Sequence, residues 1–287
     1  MSIIEDIKLQ YKIGGVANRI IYWNVGAFLI SIILFYKFKF GIFEYPTWIS
    51  LSSQPKEVLF FPWTLITYAF LHAGFWHLFF NMMVLNFTSR LFLTFFTQKQ
   101  FLGLYLLSSV FAGLTFVCIY YFIGLQSNIV GASAAVMAIL VAATTYQPLM
   151  EIRLFLLGNV KLWHLTAVIL LLDAMQIATD NSGGHISHLA GAAFGFIYIK
   201  LLQNGTDLSI IVTKIVDFFV NLFQPKKKTP FKKVHVNPRK SNINSQSKIV
   251  IKDKSQQQID EILDKLSQSG YDSLTAEEKE FLFKVGK

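Results

Sequence analysis

Ser133 stands in the run NIVGASAAVMAIL (128–140), directly after a Gly-Ala pair and at the head of an alanine-rich apolar segment. A serine in that setting is either a small packing residue or a nucleophile, and a nucleophilic serine needs a base, most often histidine. Candidates stand in GGHISHLAGAAFGF, where His185 and His188 open another apolar segment. His188 is followed by Gly191 and Gly195, with Ala192 and Ala193 beside them, and the Ser133 segment is matched in size by Ala134, Ala135, Ala138, Ala142 and Ala143. Helices with facing small residues pack nearly backbone to backbone, which would bring Ser133 and His188 within reach of each other. A third stretch, HAGFWHLFFNMM, places His77 and Asn81 four residues apart on one helical face. No carboxylate lies between them, so a neutral donor pair is more natural than a metal ligand set, and such donors suit a developing oxyanion. Taken singly, each motif also reads as packing, as an interfacial histidine or as an interhelical hydrogen bond.

The elements that must position these residues are membrane spans. The 287-residue chain is 53% apolar and 15% aromatic, only 15% charged, with mean hydropathy +0.47, a composition too apolar for a soluble domain. Apolar segments of roughly the length a bilayer needs run over 20–36, 75–96, 101–123, 133–147, 162–178 and 186–202. Six spans put both termini on one side. Lys8, Lys12, Arg19, Arg90, Lys99, Arg153 and Lys161 flank one set of span ends and mark it as cytoplasmic, whereas the connections GLQSN and TDNSGG carry no Lys or Arg and face outward. Lys37, Lys39 and Lys56, in the long outer loop 37–62, are a minority against that rule. The N-terminal stretch MSIIEDIKLQYKIGG lacks the apolar core of a cleavable signal, so the first span itself is expected to direct insertion.

The fold class expected is therefore an all-α membrane protein. A cytoplasmic segment 1–19 precedes a six-span bundle over 20–203, followed by an interfacial amphipathic helix at 204–224, a basic flexible linker at 225–250 and a cytoplasmic helical hairpin at 251–287. Asp207, Lys214, Asp217 and Asn221 share one face of the interfacial helix. In the hairpin, Ile259, Ile262, Leu263 and Leu266 repeat at helical spacing, Gly270 stops the helix, and Thr275 with Glu278 forms a capping box. So small a hairpin buries little core, and a cytoplasmic partner is expected for it. The net charge of +9 gathers in QPKKKTPFKK and HVNPRK, which behind a last span signify contact with anionic lipid, not nucleic acid. Cys118 is alone, which excludes disulfides and cysteine metal sites; no metal and no cofactor is expected.

Depth sharpens the reading of Ser133. The segment 133–147 reaches only about 22 Å as a helix against a hydrocarbon core of about 30 Å. Its outer end stops below the membrane surface, where free backbone groups are tolerated only inside protein or beside a watery cavity. Ser133 would sit there, beside free N–H groups and the positive end of a helix dipole.

Three motifs, HLFFN (77–81), GAS (131–133) and HLAGAAFG (188–195), occur in this order on the second, fourth and sixth spans, and together they resemble the rhomboid family of intramembrane serine proteases. The resemblance covers roughly 20–202. It implies that Ser133 is the nucleophile and His188 the general base and acid, a dyad without a carboxylate, with His77, Asn81 and the Ser133 amide forming the oxyanion hole. Gly131, Gly191, Gly195 and Met137 would pack around the dyad. The implied reaction is hydrolysis of a peptide bond at or near the outer end of a substrate's transmembrane helix, in a bacterial inner membrane with both termini cytoplasmic, and the implied partners are transmembrane proteins and the bilayer. Two positions depart from the family: Ala134 replaces the common Gly after the serine, and Met137 replaces an aromatic ring that stacks on the histidine. His72 resembles a structural family position, His164 lies at the wrong end of its span, His185 is expected to be exposed at the mouth, and Asp173 is costly in a membrane unless paired, but two turns from the outer end of its span it could reach the cavity or water. The alternative is a rhomboid-like pseudoprotease that binds transmembrane helices without cutting them, which would be expected to lack the serine or the histidine. A channel or transporter would suit the short fourth span, but the chain has no internal repeat and few charges within its spans.

Overall fold

Apolar runs free of proline fold here as helices, because only a helix satisfies its own backbone where water is absent; among the described residues no proline falls inside a helix longer than six residues. The computed structural model describes residues 2–154, 158–178, 181–223 and 246–285, in two compact units, Met1–Pro225 and Lys226–Lys287. The first unit opens with α1 (Ile3–Ile13), whose Ser2 and Glu5 form a capping box, and α2 (Gly15–Phe35). β1 (Tyr36–Lys37) pairs with β2 (Ile42–Phe43), and β3 (Leu51–Ser52), α3 (Pro55–Phe60) and α4 (Thr64–Thr67) lead through a 3-10 turn at Tyr68–Phe70 into α5 (Phe75–Leu93). α6 (Gln98–Ile123), β4 (Asn128–Ile129) and α7 (Ser133–Tyr146) follow, then the hairpin of β5 (Glu151–Leu154) and β6 (Gly158–Lys161), α8 (Leu162–Gln176), α9 (Ser182–Gln203) and α10 (Ser209–Phe223).

The chain is thus a helical membrane protein. α2, α6 and α9 are long and apolar enough to cross a bilayer, and α4 with its 3-10 turn is apolar enough together with α5 to form a broken span or a re-entrant loop, the two parts bent 96° apart. α7 and α8 are apolar but shorter. Large side chains such as Ile33, Leu34, Leu171 and Leu172 point outward from α2 and α8, as lipid-facing positions do. Three two-stranded ladders, absent from the all-helical reading, stitch the connections; strands of two to four residues are too short for alternation to reveal them.

α7 is the hub. Every residue from Ala134 to Ala143 is buried, with α5, α6, α8 and α9 all against it. A helix surrounded on every side must be thin, and alanine makes it so. The tightest of these contacts is with α9, where a methyl at Gly191 or Gly195 would collide with the carbonyl oxygen of Ala134 or Ala138. These obstacles are backbone and cannot swing aside.

α10 is fastened to the bundle by Asp207. The sequence reading put this residue on the helix face; instead it precedes α10 and caps it, one carboxylate oxygen accepting from the Ser209 N–H (2.8 Å) and the other from Gln100 Nε2 (3.2 Å), with the Tyr198 hydroxyl at 3.5 Å. Partial burial opposes ionisation, but the hydrogen bonds from Ser209, Gln100 and Tyr198 outweigh it and hold the carboxyl below the ordinary carboxylate range. The second unit contains α11 (Gln246–Ser269), a 3-10 turn (Tyr271–Ser273) and α12 (Ala276–Val285). There Thr275 and Glu278 form the expected capping box, and Lys265 pairs with Glu278 at 3.0 Å. The basic linker expected over 225–250 lies outside the described residues as far as 245, and α11 occupies its last five.

Gly195→Val is expected to destabilise the fold by about 1–3 kcal/mol, seen as a lower thermal midpoint in detergent, while Gly26→Val on α2, with nothing within 4 Å of the added Cβ, leaves the midpoint unchanged. A depressed folded-state pKa at Asp207 contributes stability above the ordinary carboxylate value of about 3.9 and loses it as pH falls through the lower folded value. Wild type is therefore expected to exceed Asp207→Asn in thermal midpoint at pH 7, with the gap closing below about pH 4.

Candidate active site

The turn that presents Ser133 is held from two sides. β4 pairs with β3 in the register Leu51↔Ile129 and Ser52↔Asn128, and the Gly131 N–H donates to the Tyr68 carbonyl at 2.9 Å. The stretch around Tyr68 is itself anchored to α6, since the Tyr68 hydroxyl donates to the Ser109 carbonyl (2.9 Å) and the Tyr105 hydroxyl to that of Ala69 (3.0 Å). Gly131 has φ +137°, a conformation side chains rarely adopt. A methyl there would meet the His77 ring at 2.9 Å and Ser133 Oγ at 3.4 Å, so ring and hydroxyl flank the same small gap.

His77 accepts the Ala73 N–H on Nδ1 (3.3 Å), which puts the ring proton of the neutral imidazole on Nε2, the nitrogen nearest Gly131. Asn81, one turn further along α5, donates to the His77 carbonyl (2.8 Å) and lines the cavity that contains Ser133. α7 has no side-chain N-cap, so its first backbone N–H groups, including that of Ser133, have no partner within the helix. Three neutral or partly positive donors thus border one serine hydroxyl.

From the opposite side α9 delivers His188, whose Nε2 is 2.5 Å from Ser133 Oγ. Its Nδ1 is 2.8 Å from Asp173 Oδ1 on α8, and the same oxygen is 2.6 Å from His185 Nδ1. A cavity of about 350 Å³ reaches this group between α5, α7, α8 and α9, with Asn81, Ser133, Met137, Asp173 and His188 on its wall. His188 and Asp173 are 19% and 9% exposed, enough for the imidazole to meet a substrate while the carboxylate stays shielded.

The comparisons with known proteins fall on the same segment. Residues 61–204 match the family described as the Rhomboid domain, half of the chain and the half that holds His77, Asn81, Ser133, Asp173 and His188. This chain belongs to the rhomboid family. A second match, to a family of unknown function (DUF6576), covers residues 250–285 in α11 and α12. None of the curated proteins matches the chain. In this rhomboid the two positions at which the resemblance marks a departure, Ala134 and Met137, are both buried. Ala134 packs with Ala112 on α6 and Ala190 on α9. Met137 is buried among Leu91, Leu140 and Ala192 and lines the cavity beside His188, but the group in hydrogen-bond contact with the imidazole is a carboxylate.

The resemblance implies a dyad without a carboxylate, and here Asp173 stands at hydrogen-bond distance from His188. The expected exposure of His185 is corrected: instead of standing exposed at the mouth it is 13% exposed and bound to Asp173. The available signal was that Asp173 is the sole Asp or Glu in the six apolar segments, which in a membrane marks a functional position; the two histidines it would meet lie on another helix, and spacing alone does not reveal the encounter. His72 is fully buried, its ring against that of His77 at 5.1 Å, and its carbonyl accepts from Tyr45. His164 is exposed in the first turn of α8, away from the cavity.

Gly131→Ala combines a disfavoured φ with a clash against His77, and is expected to destabilise by about 1–3 kcal/mol and to displace the His77 ring, read from the thermal midpoint and from the variant's structure.

Proposed function

We propose that this rhomboid is an intramembrane serine endopeptidase that hydrolyses peptide bonds at or near the outer end of transmembrane helices. The observation that carries the reading is the 2.5 Å contact between Ser133 Oγ and His188 Nε2 inside a cavity walled by apolar helices. A substrate strand enters that cavity once its own helix has unwound. Ser133 Oγ attacks the scissile carbonyl carbon while His188 Nε2 takes the hydroxyl proton. Negative charge moves to the carbonyl oxygen, where the Ser133 amide, His77 Nε2–H and the Asn81 side chain donate to it. His188 returns the proton to the departing amine, and water then releases the acyl group by the same steps in reverse order.

The α7 length supports a buried position for this chemistry: 14 residues extend about 21 Å, short of the hydrocarbon thickness of about 30 Å, so with its far end at one surface Ser133 lies beneath the other. In the topology we propose, α2, α5, α6, α7, α8 and α9 each cross a bacterial inner membrane, Ser133 opens toward the outside and both termini are cytoplasmic, in keeping with Arg90, Lys99, Arg153 and Lys161 at the opposite end from Ser133. α11 and α12 would then meet a cytoplasmic partner.

A fluorophosphonate probe on the detergent-solubilised protein tests the reading. Wild type is expected to be labelled at Ser133, Ser133→Ala and His188→Ala to lose labelling, and Asn81→Ala or His77→Ala to slow it by about 10²–10³-fold. Equal labelling of wild type, Ser133→Ala and His188→Ala sinks the enzyme and favours a protein that holds transmembrane helices without cutting them.

A further inference from the structure

Asp173 does something the serine and histidine do not require of it. A carboxylate inside a membrane is expensive unless paired, and such residues normally face functional cavities. Here one oxygen, Oδ1, takes both histidine contacts, while Oδ2 is buried with no hydrogen-bond partner among the described residues. A residue serving only to tie α8 to α9 would gain more from using both oxygens.

A carboxylate only accepts, so His188 Nδ1 must be the donor in its contact with Oδ1. In a neutral imidazole that leaves Nε2 without a proton, and Nε2 is the nitrogen on Ser133 Oγ. The opposite tautomer would present an N–H to the hydroxyl and could not remove its proton. His185, donating to Oδ1 from one turn earlier on α9, holds the carboxylate in place from its other side. The remaining histidines nearby, His77 and behind it His72, stand on the Gly131 side of Ser133, and no Lys or Arg lines the cavity to claim the carboxylate.

We infer that Asp173 is a positioning residue that locks the tautomer and orientation of His188, making the site a Ser133–His188–Asp173 relay with His185 as its clamp. The inference rests on the proposed serine protease reading. Within it, Asp173 does the orienting that Met137 cannot do, and it faces the imidazolium that forms when His188 takes the serine proton. The three side chains also lie close enough together to suggest a cation site, their ligand atoms within 4.8 Å of one another; convergence of both Nδ1 atoms on a single oxygen at hydrogen-bond distance fits shared protons better than an ion.

Saturation kinetics of fluorophosphonate labelling separate this role from a structural one. Asp173→Asn is expected to lower the limiting labelling rate about 100-fold or more while leaving the probe's half-saturation concentration unchanged. An Asp173→Asn variant that labels at the wild-type limiting rate, beside inactive Ser133→Ala and His188→Ala, overturns the relay and leaves the protease reading standing; a wild type that does not label at all removes both. Should the variant not fold, ¹⁵N NMR of the wild-type His188 ring decides: a protonated Nδ1 with a bare Nε2 is expected, and a protonated Nε2 overturns the proposal. Loss of wild-type labelling on adding EDTA would likewise overturn it, in favour of a metal.

Discussion

The approach of α9 to α7 at Gly191 and Gly195 is the contact on which the site depends. In lipid there is no hydrophobic gain from joining two apolar helices, so close packing and polar contacts must hold them. Glycine on one helix and alanine on the other let the backbones meet, and that sets the Ser133–His188 separation at a hydrogen bond rather than at a side chain's width. The same thinness explains why α7 can be short. Surrounded by α5, α6, α8 and α9, it can end within the bundle, with Ser133 at its start on the wall of a cavity.

Around that seam the polar groups are arranged by their capacity to donate or accept. On one side of Ser133 stand donors: His77, its proton placed on Nε2 by the Ala73 N–H, then Asn81 and the start of α7. On the other stand acceptors in series, His188 Nε2 and, through that ring, Asp173. In the reaction proposed above, the hydroxyl gives up its proton toward the acceptors while negative charge gathers among the donors. The loop bearing Gly131 keeps the two sides apart, and its ties to Tyr68 and to β3 extend the support to α6.

Much of this was legible in the sequence, because membrane helices announce themselves by composition and close packing by small residues. The six apolar segments coincide with α2, α5, α6, α7, α8 and α9 to within about five residues at either end, and the alanine and glycine spacing foretold the α7–α9 seam. Elements whose existence depends on tertiary pairing stayed hidden. β3 and β4 are two residues each, lie 76 positions apart at their nearest and exist only because the bundle brings them together. Asp207 matched a helical face by spacing, yet its contacts with Gln100 and Tyr198 make it a cap. Asp173 was conspicuous as a lone acid in an apolar run, but its worth lay in two histidines 12 and 15 positions away, on a helix whose rotation no periodicity specified.

Cleavage of a membrane-embedded substrate tests the central claim most directly. Purified protein would be reconstituted in liposomes with a single-span polypeptide, and the products identified by mass spectrometry. Two fragments that meet near one end of the substrate's span, on the side to which Ser133 opens, and that are absent with Ser133→Ala, are the predicted result. A substrate left intact by the wild type, or cut equally by Ser133→Ala, would contradict it.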